Sequence, residues 1–180
     1  MCGIVGFTGT RPAQGILIEG LSRLEYRGYD SAGVAIYQDG KLEVVHRKGK
    51  VSSLAHTLGH FNFEGACGIG HTRWATHGAP SDVNSHPQVS EGGRFAVVHN
   101  GIIENYLELR EFLQQKGVQF ASQTDTEVVA QLMEYCMGLP EVETVSDALY
   151  MVLHRIEGAY ALGILCSDDP DHSYAARKDA

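Results

Sequence analysis

The order in which apolar periodicity changes along the chain is its strongest constraint on fold. Strand-like runs dominate the first half: residues 3–9 (GIVGFTG), 34–37 (VAIY), 42–46 (LEVVH), 66–75 (ACGIGHTRWA) and 94–99 (RFAVVH). Helical spacing then takes over three times in succession, at 104–116, from Thr124 to Pro140, and at 144–156, before a strand resumes after Gly158 (AYALGILC). A doubly wound parallel sheet needs a crossover helix after each strand. Only two helices break up the first half, one opened by Pro12 with Leu17, Leu21 and Leu24 in register to about Tyr26, the other a short one over 50–59. This block order predicts an α+β layered fold rather than an alternating α/β one.

Local signals sharpen the boundaries. Asp39-Gly40 between two apolar runs predicts a two-residue hairpin. Residues 26–33 (YRGYDSAG) read as a loop in which Arg27 and Asp30 can pair. The stretch 76–93 holds Gly78, Pro80, Pro87, Gly92 and Gly93 and predicts a long loop, more often functional than idle inside a compact domain. Thr124 followed by Glu127 is a capping-box pattern. The YAAR segment at 174–177 can start one more strand. The 180 residues carry 43% hydrophobic and 20% charged side chains, an ordinary globular balance, and are expected to form one domain, 1–180, incomplete at its C-terminal end.

The bulk properties exclude several functions. A net charge of −8 repels phosphate backbones, so nucleic acid is not an expected partner. No apolar run approaches the roughly 18 residues of a membrane span. The start MCGIVGFTGT has neither the charged nor the apolar region of an export signal, which predicts a cytoplasmic protein with reduced thiols. The four cysteines, Cys2, Cys67, Cys136 and Cys166, form no CxxC pair, the nine histidines show no HExxH motif, and no GxxxxGK[ST] loop is present. No metal and no other cofactor is therefore expected.

Four features remain that can carry chemistry. Cys2 directly follows Met1, so clipping Met1 places a thiol and an α-amine on one residue. An unperturbed α-amine titrates at about 7.7–8.0 and serves as a base near neutral pH, beside the nucleophile it activates. Arg73-Trp74-Ala75-Thr76-His77-Gly78 presents a guanidinium fork suited to a carboxylate, with Thr76 and His77 adjacent and the chain's one tryptophan as a lid. His99-Asn100-Gly101 follows an apolar strand; its amide and backbone N–H suit an oxyanion, although Asn-Gly is equally a hairpin turn. Asp125, at the head of a helix, suits a ligand ammonium or simply the helix dipole.

Taken together, CGIVG at 2–6, LEYRGYDSAG at 24–33, HTRWATHG at 71–78, VNSHP at 83–87, VVHNGIIEN at 97–105 and SQTDTEV at 122–128 resemble the glutaminase domain of class II glutamine amidotransferases, the N-terminal-nucleophile type. Within that class the resemblance is to the glutamine–fructose-6-phosphate aminotransferase family. It implies a four-layer αββα sandwich of antiparallel sheets and hydrolysis of L-glutamine to glutamate and ammonia through a thioester on Cys2. It further implies an oxyanion hole from Asn100 and Gly101, carboxylate binding by Arg73 with Thr76 and His77, ammonium binding by Asp125, and Trp74 in the closing loop. Family enzymes use fructose 6-phosphate through further C-terminal domains, which also make most of their homodimer contacts; neither is expected of these residues alone. A glutamine-sensing module is the competing reading, since it would keep Arg73 and Asp125 and have no need of Cys2.

Overall fold

Three separate apolar clusters divide the molecule into four layers. The computed structural model describes residues 2–74 and 79–180. Its strands are β1 (Gly3–Thr8), β2 (Ser31–Gln38), β3 (Lys41–Lys48), β4 (Cys67–Arg73), β5 (Gln88–Val89), β6 (Phe95–Gly101), β7 (Tyr160–Cys166) and β8 (Asp169–Lys178). Its α-helices are α1 (Ala13–Leu24), α2 (Val51–Leu58), α3 (Tyr106–Gln115), α4 (Asp125–Met137) and α5 (Val145–Leu153). The strands form two four-stranded sheets ordered β1-β4-β2-β3 and β5-β6-β7-β8, and every pairing is antiparallel.

The outer cluster on the first sheet packs Ala13, Leu17 and Leu21 of α1 and Val51, Leu54 and Leu58 of α2 over Ala32, Val34 and Ile36 of β2. The cluster on the second sheet packs α3, α4 and α5 over Phe95, Val97, Leu162 and Ile164. Between the sheets, Ala35, Cys67 and Ile69 meet Ala96, Val98 and Leu165, with Ile4 at the margin. Each sheet is therefore apolar on both faces, and the expected αββα order is what the molecule adopts. A fully buried Leu such as Leu17 or Leu21 contributes about 1.5–3 kcal/mol relative to an exposed one.

Several boundaries differ from expectation for physical reasons. β2 starts at Ser31 inside the expected loop, because Ser31, Ala32 and Gly33 are paired on both edges, to Lys48, Arg47 and His46 and to Arg73, Thr72 and His71. Pairing on both sides overrides the weak strand propensity of small residues. β8 runs over ten residues instead of the short YAAR segment; as an edge strand it shows no apolar alternation to read. Asn100 and Gly101 are not a hairpin turn: they end β6 and pair with Ala161 and Tyr160. Asp39-Gly40 does turn β2 into β3, with φ of 51° and 85°.

Candidate active site

Strand register brings the site together. Gly3 pairs with Thr72 and its N–H donates to Thr72 Oγ1 at 3.0 Å, which sets Cys2 against the end of β4. There the Trp74 N–H donates to Cys2 Sγ at 3.1 Å, and Sγ lies 3.5 Å from the Trp74 carbonyl. From the opposite sheet, Asn100 Nδ2 donates to the Cys2 carbonyl at 3.4 Å. Asn100 continues the row Ala96–Val98 on the face of β6 turned to the first sheet, while His71 and Arg73 continue the row Cys67–Ile69 on β4. The apolar filling between the sheets thus gives way to polar groups at the end where Cys2 sits.

A buried histidine backs Asn100. His71 Nε2 lies 2.8 Å from Asn100 Oδ1, so a ring N–H on the amide oxygen leaves the NH₂ for the Cys2 side. His71 has no solvent exposure, and burial drops its pKa to about 4, opposed by its hydrogen bond to Asn100; the ring is neutral. His86 is likewise buried, held well below the ordinary range by desolvation and then by His71 and His99, and its ring centroid is 4.4 Å from that of His71. The loop carrying His86 is folded rather than slack. Asn84 donates to Ala79 O and accepts from the Gln123 N–H, and the Gln88 amide donates to Val83 O and Ser85 O.

Gly101 presents its backbone. The Ile102 N–H donates to Ala159 O, so ladder alternation turns the Gly101 N–H away from β7. With φ at +114° and Ala159 O only 2.1 Å from where a Cβ would stand, this position excludes a side chain.

Two opposite charges complete the site. Arg73 is 3% exposed; burial lowers its pKa, opposed by Asp30, Cys2 and Asp125, and its Nη1 is 3.7 Å from Asp30 Oδ1. Asp125 opens α4, accepts the Ile103 N–H at 2.9 Å and lies 3.8 Å from His99 Nδ1. Cys2, Arg73, Trp74, Gly101, Thr124 and Asp125 line one pocket with His86 and His99. Thr76 and His77, expected beside Arg73, lie outside the described residues. His71, His86 and His99 were not among the expected site residues; the two-residue spacing of His71 and Arg73 on one strand is the signal that points to the first of them. Among the described residues no group of three or more His, Cys, Asp or Glu side chains is arranged to hold a metal ion, and no helix is long and apolar enough to cross a membrane.

Cys2 thus stands at the head of a strand, with the Asn100 amide reaching it from the second sheet of an antiparallel αββα sandwich. Residues 71–180 match the family described as "Glutamine amidotransferase domain", and the chain belongs to that family. All of the chain is 57% identical to the glutamine–fructose-6-phosphate aminotransferase [isomerizing] of Caldanaerobacter subterraneus and 49% identical to that of Pyrococcus horikoshii. It spans 29% and 30% of the length of those relatives. Among solved structures, glutamine phosphoribosylpyrophosphate amidotransferase from B. subtilis superimposes with a TM-score of 0.76 at 29% identity, over 93% of this chain and 35% of that one.

Proposed function

We propose that this chain hydrolyses L-glutamine to glutamate and ammonia, with Cys2 as nucleophile once Met1 has been removed. The observation that carries the reading is the convergence of Cys2, Gly101, Arg73 and Asp125 on one pocket, with the Asn100 amide on the Cys2 carbonyl beside it. An amino acid presents an α-carboxylate to Arg73 and an α-ammonium to Asp125, which aims its side-chain amide at Cys2. The Cys2 amine takes the thiol proton and the sulfur adds to the amide carbon. The negative oxygen that forms is met by Asn100 Nδ2 and the Gly101 N–H. Collapse breaks the C–N bond as the ammonium returns its proton to the departing nitrogen, giving ammonia and a thioester. A water molecule, deprotonated by the same amine, cleaves the thioester to glutamate and restores the thiol.

The pocket encloses about 40 Å³. Trp74, 56% exposed, is the most solvent-accessible side chain on its wall. In a longer protein like the relatives, the ammonia serves to aminate fructose 6-phosphate to glucosamine 6-phosphate at a site these residues do not supply. The test is glutamate release from glutamine by the Met1-processed chain beside a Cys2→Ala variant. Release that disappears in the variant supports the reading. Equal release from both removes Cys2 from the mechanism. Glutamine binding without turnover by a folded wild-type chain favours the sensing module.

A further inference from the structure

Trp74 touches the nucleophile through its backbone, and its indole rests on a residue far away in sequence. Gly28 closes the 3-10 turn Glu25–Arg27, with its N–H donating to Glu25 O at 3.0 Å. Its φ of 89° and ψ of 145° belong to a region that only glycine occupies readily. A Cβ placed on Gly28 would stand 3.0 Å from both Cε3 and Cζ3 of Trp74, so the six-membered ring of the indole lies against the bare α-carbon. The segment holding Gly28 is anchored on either side. Glu25 Oε1 accepts the Val51 N–H at 2.6 Å, and the Asp30 N–H donates to Arg73 O at 2.7 Å, one residue before Trp74.

We infer that Gly28 is a positioning residue for the nucleophile: it forms a seat, open only to a residue without a side chain, that holds the Trp74 indole and so keeps the Trp74 N–H on the Cys2 sulfur. An N–H aimed at sulfur favours the thiolate over the thiol, and the thiolate is the reactive form. A methyl group on Gly28 pushes the ring off its seat, and the N–H at the end of β4 follows.

This rests on Cys2 being the nucleophile, but its test does not need glutamine turnover. Trp74 is the only tryptophan, so intrinsic fluorescence reports the seat directly. Cys67, Cys136 and Cys166 are buried, so iodoacetamide at neutral pH reads Cys2, with the site of labelling checked by peptide mass mapping. In Gly28→Ala, tryptophan emission shifts to longer wavelength and Cys2 alkylation slows by about threefold to tenfold, the range one hydrogen bond supplies. Turnover falls through kcat more than KM. Trp74→Ala slows alkylation to a similar degree, and Trp74→Phe, which keeps a ring on the seat, retains most of the wild-type rate. In the Trp74→Ala background, adding Gly28→Ala changes alkylation little.

Equal slowing by Gly28→Ala in both backgrounds means backbone strain alone is at work and overturns the seat. Wild-type alkylation in Trp74→Ala overturns it too, whether or not Gly28→Ala folds. The expected alkylation pattern in a chain that never turns over glutamine would support the seat and sink the proposed function instead.

Discussion

Asp125 does two things at the start of α4. Its Oδ2 accepts the Ile103 N–H and so fixes the turn that leaves β6, and its charge faces a pocket that also holds Arg73. Asp125→Asn separates these roles, since an amide oxygen can still accept from Ile103 while the charge is gone. The expected result is a rise in KM for glutamine of about tenfold or more, the weight of a charge-assisted hydrogen bond, with kcat within about twofold. Steady-state kinetics checks it, and a fall in kcat at constant KM would remove Asp125 from ammonium binding. At this scale the sequence was enough to single out Cys2, Arg73 and Asp125, which line one pocket, because they are unusual residues for their positions. It could not decide between turn and oxyanion donor for Asn100-Gly101, since that choice depends on whether β7 lies alongside. His71 and His86 escaped notice because their significance is a contact between residues distant in sequence, His71 with Asn100 and His86 with both His71 and His99.

At the scale of elements, helix caps divide the labour differently from their pattern. Thr124 does cap α4, accepting the Glu127 N–H, but the Glu127 carboxylate turns to the N–H groups of Ala121 and Ser122, at 2.8 and 2.6 Å. The reciprocal box is instead at α5, where Thr144 Oγ1 accepts from the Asp147 N–H and Asp147 Oδ2 accepts from the Thr144 N–H. The two sites therefore respond unequally. Thr144→Ala removes one exposed cap and is expected to cost about 1 kcal/mol with turnover unchanged. Glu127→Ala strands two backbone donors around a residue that is 1% exposed and is expected to cost about 2–3 kcal/mol. It also loosens the turn leading into Asp125. Urea denaturation of both variants measures the contrast, and equal losses would mean that the Glu127 carboxylate contributes no more than an ordinary cap. Element type was readable nearly throughout because helical spacing is long and regular in α3, α4 and α5. Strand ends were not, since β8 and the start of β2 owe their conformation to neighbours and carry no pattern of their own.

Across the whole molecule, the two halves meet through a small apolar cluster and, beside it, through buried imidazole. Ala35, Ile69, Ala96, Val98 and Leu165 hold the sheets together, and toward the site the same interface is filled by His71 against Asn100, with His86 packed beside it. Both rings are buried as neutral bases, which makes the joint between the sheets sensitive to acid. In the unfolded chain a histidine binds its proton below about pH 6.5. In the folded chain His71 does so only below about 4. Between these values the unfolded state carries the extra proton, so stability is complete above about pH 6.5 and is lost progressively as pH falls toward 4. His71 alone accounts for about 3 kcal/mol over that window, and His86, shifted in the same direction, adds to it. The slope is the more discriminating quantity. Each such histidine contributes up to about 1.4 kcal/mol per pH unit between roughly pH 6 and 5, a range above most of the carboxylate titrations. Denaturation free energies at pH 7, 6, 5.5 and 5 give the slope for the wild type and for His71→Asn, whose amide can still meet Asn100. Whatever the variant loses in stability at pH 7, its slope is expected to be shallower by about one proton. An unchanged slope would mean that His71 is already protonated in the fold, and that the end of the interface beside Cys2 is held by a charge rather than by a neutral ring.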